Sequence, residues 1–334
     1  MSLPGLTTIN KGRDSSEHAP KNRLFFKLLK SKEFSVLSAL LVLSVAVSLL
    51  SPYFLRVQNI FNVLRQISVI GILAVGQALI IITSGIDLSV GSILGLMGVI
   101  SALLASAGLH PILIFILAIL IGCLVESING LLVTKVRINP FIVTLGMMSI
   151  ARGTSLLITG GLPISIENPI TFLGGGYVGP VPVPVILMFI VAIMGHVFAT
   201  KTLPGRNVYA VGNNERAAKL SGIRVDRVKI MVFMIMGGLA ALSGMILSGT
   251  LNSAEPSAGT GYELDVIAAV VIGGVSLTGG EGSIIGVIIG AAIMGVLRNS
   301  FVLLGVSAYW QVVAIGIVTI AAVAIDSIKN RKRD

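Results

Sequence analysis

Residues 111–133 read PILIFILAILIGCLVESINGLLV, twenty-three positions in which Glu126 is the one charge. As an α-helix this stretch is about 35 Å long, enough to cross the ~30 Å hydrocarbon core of a bilayer. Nine more apolar runs have the same character, at residues 34–50, 67–83, 88–107, 141–159, 183–199, 230–251, 264–277, 284–304 and 308–325. The expectation is an all-α integral membrane protein, a polytopic helical bundle of about ten spans. What remains outside the runs is tails and loops, with no room for a soluble catalytic domain.

Composition supports this. Hydrophobic residues make up 54% of the 334, charged residues only 11%, and the mean hydropathy is +0.98. A soluble domain carries about 25% charge, so a soluble globular enzyme is excluded, and so is a disordered chain. A single cysteine rules out a disulfide framework and a cysteine-based zinc site. His18, His110 and His196 are too scattered for a histidine metal cluster.

The net charge is +10. The basic residues sit between apolar runs, which points to membrane orientation rather than to a nucleic-acid partner. Twenty of the 24 basic residues fall in four places: before the first run, after the fourth (Lys135, Arg137), in residues 201–229, and after the last. If the runs alternate, all four are on one side. That side is the cytoplasm by the positive-inside rule, with both termini there. The expected layout is a cytoplasmic tail at 1–33, a membrane domain at 34–326 that includes a cytoplasmic loop at 200–229, and a basic tail at 327–334. The first run lacks a cleavage pattern and reads as a retained span. Residues 56–65 (RVQNIFNVLR) place Ile60, Phe61 and Leu64 on one helical face. They read as an interfacial helix on the outer surface, or equally as an early start of the second span.

Enzymatic signatures are missing. There is no GxxxxGK[ST], so the chain has no P-loop, and no HExxH, CxxC or GxSxG. The glycine-rich stretch 273–282 (GGVSLTGGEG) departs from GxGxxG and lies between apolar runs. Gly282, Gly286 and Gly290 recur every four residues and read as a helix-packing stripe.

Ionisable residues within or beside the runs are costly and therefore informative. Asp87 and Ser89 lie in TSGIDLSVG, a helix-break composition. They read as a capped junction or as a polar rim of a solute pathway. Glu126 and Asn129, three apart on one face, would line a path for a hydroxyl-rich ligand or tie helices together, with Arg152 as a candidate partner. Glu263 and Asp265, together with Asn252, Ser253, Glu255 and Tyr262, are expected at an outer mouth. Aromatic residues are only 5% of the chain. A pore so poor in them suits weak passage rather than tight sugar binding, unless Phe301, Tyr309 and Trp310 cluster.

The loop at 201–229 is the most informative polar stretch. Asn213 and Asn214 offer N-cap oxygens, Glu215 suits a first turn, and Gly222 supplies a C-terminal stop. A short helix is expected over 215–221, with Ala217 and Ala218 as a small flat face and Leu220 as an apolar knob. Two turns of helix are marginal alone and become worthwhile when docked.

Three stretches carry a resemblance to a known family: 83–92 (TSGIDLSVGS), 205–223 (GRNVYAVGNNERAAKLSGI) and 258–291 (AGTGYELDVIAAVVIGGVSLTGGEGSIIGVIIGA). The chain resembles the permease subunits of bacterial ABC sugar importers, nearest to those that handle ribose. The resemblance implies a pore in the bacterial plasma membrane, made with a second permease copy or homologue. Two cytoplasmic ABC ATPase subunits would bind the ATP and Mg, so no cofactor belongs to this chain. An extracytoplasmic sugar-binding protein would deliver the solute. It also implies a coupling helix, carried by Glu215, Ala217, Ala218 and Gly222, with Gly205, Arg206, Gly212, Asn213, Asn214 and Leu220 in the same stretch. In the wider importer class that helix bears Glu-Ala-Ala followed by a glycine. Here Arg216 separates Glu215 from Ala217, a departure that fits the sugar subgroup.

A different class competes: a stand-alone carrier of a small polar solute driven by an ion gradient. It would need an intramembrane carboxylate, for which Asp87, Glu126 and Asp265 are candidates. It would not need a docking loop.

Overall fold

The computed structural model describes residues 32–331. The N-terminal basic residues Lys11 to Lys30, and Lys332 and Arg333, lie outside the described residues. Among the described residues thirteen α-helices follow in order: α1 (Lys32–Leu50), α2 (Val57–Ile82), α3 (Val90–Ser106), α4 (Pro111–Leu131), α5 (Pro140–Thr159), α6 (Phe172–Gly175), α7 (Val183–Lys201), α8 (Leu203–Asn213), α9 (Glu215–Leu220), α10 (Val225–Leu251), α11 (Tyr262–Ile272), α12 (Ile284–Leu303) and α13 (Ala308–Arg331). The only strands among the described residues are four two-residue pieces: β1 (Ile164–Ser165), β2 (Tyr177–Val178), β3 (Val181–Pro182) and β4 (Ser253–Ala254). They pair β1 with β4 and β2 with β3, both antiparallel. The protein is all-α.

Among the described residues, eight helices are long and apolar enough to cross a membrane. The other two expected spans are short. The run at 88–107 forms the 17-residue α3, and the run at 264–277 forms only the 11-residue α11. At about 1.5 Å per residue, α11 reaches some 16 Å, half of a hydrocarbon core. The chain breaks after Ile272 because Gly273 and Gly274 follow, and Gly274 adopts φ 88. The fourth run extends beyond α4 through a π-helical turn at Leu132–Val136.

Local chemistry sets the ends. Pro111 and Pro140 open α4 and α5 from His110 and Asn139, whose side chains accept from the backbone N–H of Ile112 and Phe141, the second residue of each helix, at 3.4 and 2.9 Å. Gly160 closes α5 at φ 61. Residues 56–65 are no separate interfacial helix. Helix α2 runs unbroken from Val57, because nothing between Arg65 and Ile67 stops it. Asn59 also anchors this first turn in the bundle by exchanging two amide hydrogen bonds with Asn299 of α12, at 3.0 and 2.9 Å.

Helix α2 is the axis of the bundle. From Ile67 to Ile82 every residue is buried. Glycines bring its neighbours close. Gly71 faces Met188 of α7, Gly76 faces Met236 of α10, and Ile67 packs on Gly295 of α12. Helix α12 approaches α11 the same way: Gly286 lies on the Gly273 carbonyl and Gly290 on that of Ala269. Gly282, the first member of the expected stripe, sits before α12 in the connecting loop, against Val275.

Basic segments collect at one end of the bundle. Lys135 pairs with Asp226 at 2.6 Å, which joins the π-helical turn after α4 to the first turn of α10. Glu33 of α1 and Ser283 line one small cleft there, and Asp326 of α13 accepts from the Leu277 N–H at 3.1 Å.

A β-carbon added at Gly290 would overlap the Ala269 carbonyl, whereas one at Gly146 of α5 meets nothing within 4 Å. We expect Gly290→Ala to cost about 1–3 kcal/mol by overpacking. Gly146→Ala should be neutral or gain up to about 1 kcal/mol from helix propensity. Thermal unfolding in detergent would show the first midpoint falling by several degrees and the second holding or rising.

Candidate functional site

Two breaks in the helical order meet inside the bundle. After α2 ends, Ser84 turns the chain at φ 61 and residues 85–89 lead in to the start of α3. After β4, residues 255–261 lead in to the start of α11. Gly91, the second residue of α3, lies against the Gly259 carbonyl and the Glu263 carboxylate. A side chain at either glycine would separate the two breaks.

Four of the expected polar residues form one cluster here. Asp87, Ser89, Glu126 and Asn129 are all fully buried. The Ser89 hydroxyl and backbone N–H both donate to Asp87 Oδ1, at 2.6 and 2.7 Å. Asn129 Nδ2 donates to Glu126 Oε2 at 2.9 Å and to Ser89 Oγ at 3.1 Å, and Ser89 Oγ is 3.3 Å from Glu126 Oε1. Ser89 stands at the N-cap of α3 without capping it through its side chain: its own backbone is already helical, at φ −80 and ψ −12, and its hydroxyl bonds Asp87 and Asn129 instead. Asp87 Oδ2 and Asn129 Oδ1 are sealed without a hydrogen bond.

The remaining two, Glu263 and Asp265, do not sit at an outer mouth. Helix α11 begins level with the start of α3, so both carboxylates are deep in the bundle. Asp265 is fully buried and pairs with Arg298 of α12 at 2.5 Å. Arg152 of α5 stands 4.0 Å from Glu263, not beside Glu126. The expected mouth therefore scatters: Asn252 is exposed in the turn after α10 and lines an open cavity of about 670 Å³ with Pro169, Phe172 and Gly176. Tyr309 and Trp310 are exposed on α13 and form no buried platform with Phe301. Arg152, Arg298 and Tyr262 belong to the deep site. Their only mark in the sequence is charge, or a phenol, within apolar runs.

At the basic end, the short helix forms as α9. Asn214 is its N-cap and accepts from the Ala217 N–H at 2.9 Å. Gly222 follows at φ 84, a conformation glycine adopts without strain. Glu215 pairs with Lys229 of α10 at 2.7 Å. The flat face is divided: Ala218 is buried against the bundle while Ala217 is exposed, and Leu220 is 90% exposed. Gly205, Gly212 and Asn213 belong to the preceding α8. Gly205 is packed on Phe198 and Gly212 on Ile82. Arg206 is exposed. A cleft of about 470 Å³ opens beside α9, lined by Leu203, Pro204, Gly222, Arg224, Arg227 and Met231 among others.

The three stretches singled out in the sequence converge beneath α9. The Gly280 N–H donates to the Ile82 carbonyl and the Ser84 hydroxyl to that of Thr278, both at 2.9 Å. The Tyr209 hydroxyl of α8 donates to the Gly282 carbonyl at 3.0 Å. Burial raises the Tyr209 pKa, so it remains a donor at neutral pH. Glycines at 212, 279 and 280 permit this backbone-to-backbone contact.

This architecture is that of a polytopic permease. The match to a permease family, described as the permease component of a branched-chain amino acid transport system, spans residues 59–323, and the chain belongs to that family. Among individual proteins, it is 45% identical over 313 residues to the ribose import permease protein RbsC of Escherichia coli K12, covering 92% of this chain and 98% of that one. It is 46% identical over 294 residues to RbsC of Bacillus subtilis 168, covering 87% and 91%. The D-allose transport system permease protein AlsC of E. coli K12 is 38% identical over 333 residues, covering 98% and 100%. No solved structure matches significantly. The chain is a multi-pass protein of the inner membrane.

Replacing Asn129 removes the amide that donates to both Ser89 and Glu126. We expect Asn129→Leu to destabilise the fold by about 1–3 kcal/mol, the cost of stranding buried acceptors. Glu126→Gln, which keeps an acceptor, should cost less. Thermal midpoints of the two variants in detergent test this order.

Proposed function

We propose that the chain is the pore subunit of an ATP-driven importer that takes up a monosaccharide of the ribose class, delivered by an extracytoplasmic binding protein. The observation that carries this reading is α9. It is a capped two-turn helix held off the basic end, with one large apolar side chain, Leu220, almost wholly exposed. Such a helix is marginal alone and gains from docking. The basic end then faces the cytoplasm, where a partner ATPase would bind ATP and Mg. The family name refers to amino acids, but the similar proteins named for ribose and allose favour a sugar.

Docking would work mechanically. Ala217 and Leu220 meet the ATPase, while Ala218 and the Glu215–Lys229 pair fix α9 to the bundle. A push on α9 passes to α8, then through Gly212, Asn213 and Tyr209 to the 273–283 loop and the end of α2. From there the chain runs directly to Asp87. Rigid-body shifts of packed elements between two arrangements are a common way to open a path.

The competing ion-coupled carrier has one observation in its favour: no ion pair among the described residues reaches Asp87 or Glu126. One experiment separates the two readings. We expect Leu220→Arg to abolish co-purification of the ATPase and to lower uptake more than tenfold. Gly222→Pro should keep the complex but uncouple hydrolysis from uptake. Uptake into liposomes by the chain alone, without ATP, would favour the carrier.

A further inference from the structure

The pair formed by Arg152 and Glu263 is unlike the others in this bundle. Two residues further on, in the same first turn of α11, Asp265 and Arg298 close to 2.5 Å, although neither Asp265 oxygen makes a well-formed hydrogen bond. Arg152 Nη2 stops 4.0 Å from Glu263 Oε1, too far for a hydrogen bond. Arg152 Nη2 and Glu263 Oε2 are both sealed from solvent and lack a hydrogen-bond partner. Opposite charges that are so nearly paired normally close to hydrogen-bond distance.

Their surroundings are equally specific. Arg152 is about 18 Å along α5 from Pro140, yet 31% of its side chain is exposed. A guanidinium at that depth faces water or another polar group rather than hydrocarbon. The neighbouring Gly153, and Gly146 two turns earlier, have open space where a side chain would be. Both glycines lie about 100–120° round the helix from Arg152, so the strip of α5 flanking the charge carries no side chain at these two positions. Across the gap, Glu263 Oε2 would lie 2.7 Å from any β-carbon at position 91, so Gly91 makes room for the carboxylate.

We infer that Arg152 and Glu263 are a hydroxyl-binding pair for a polyhydroxylated, uncharged solute in transit between α5 and α11. This rests on the importer reading and adds where, and through which groups, the permease itself touches its solute. A solute hydroxyl is both donor and acceptor, so it can donate to Glu263 and accept from Arg152. An oxygen about 2.8 Å from each would see the 4.0 Å gap at an angle of roughly 90°, and a small widening makes it tetrahedral. Water or solute would supply the missing bonds when the path opens, and the gap would return to its present state when the path closes. A carboxylate–guanidinium pair does not discriminate finely between sugars, which leaves selection to the delivery protein.

The test uses the complete importer in proteoliposomes, with its ATPase and saturating delivery protein, and D-ribose as the probe. We expect Arg152→Gln and Glu263→Gln each to lower the maximal uptake rate at least tenfold while ATP hydrolysis continues. The double Gln variant and the swapped pair Arg152→Glu/Glu263→Arg should not recover. Uptake restored to within twofold of wild type by either double variant would make the pair a structural tie and overturn the inference. If those variants do not assemble, Arg152→Lys keeps the charge but loses the planar fork. It should slow uptake several-fold, and an unchanged rate would equally overturn the inference. A wild-type complex without ATP-dependent uptake would instead overturn the importer reading, so the two failures are distinguishable.

Discussion

The contact of Gly91 with Gly259 is the constraint on which the rest depends. Helix breaks are tolerated within a membrane only where protein or a polar cavity meets the freed backbone groups. Here two breaks satisfy that condition together. The start of α3 and the start of α11 abut, backbone on backbone, with long helices around them. Because both glycines lack a β-carbon, the carboxylate of Glu263 can sit beside α3 and the Asp87 turn can sit beneath it. Moving either break outward would leave buried carboxylates without the donors they have.

The charged groups divide by how they are satisfied. Asp87, Ser89, Glu126 and Asn129 share one dense network across two segments, which suits a fixed junction between the start of α3 and α4. Asp265 and Arg298 make a close pair between α11 and α12. Arg152 and Glu263 remain apart. Unlike Lys135–Asp226, Glu215–Lys229 and Asp265–Arg298, this pair stops short of hydrogen-bond distance, and it flanks the strip of α5 where Gly146 and Gly153 have open space.

At the basic end a different economy prevails. Surface ion pairs such as Glu215–Lys229 contribute little by themselves, so α9 is held mainly by its cap, by buried Ala218 and by the α8 packing below it. The glycine-rich loop at 273–283 is the common surface for α8 and the end of α2. It provides a short physical route from the loop that projects into solution to the turn that carries Asp87.

The helical membrane character, the single-sided basic loops and the capped α9 were legible from the sequence, because hydropathy, charge placement and capping chemistry are local properties. The hydrophobic run over 111–133 and the Asn214–Gly222 frame needed no partner to be recognised. Other features were decided only by tertiary structure. Hydropathy cannot distinguish an 11-residue helix followed by a buried loop from a full span, since both are apolar. It therefore placed Glu263 and Asp265 at a mouth rather than in the interior. Nor does sequence spacing show which distant charges meet: Arg152 was a candidate partner for Glu126, 26 positions away, and instead approaches Glu263, because α5 packs on α3 and the break before α11 brings that carboxylate to its side. Local patterns determine which segments enter the membrane, whereas long-range packing of glycine backbones determines which polar groups face one another inside it.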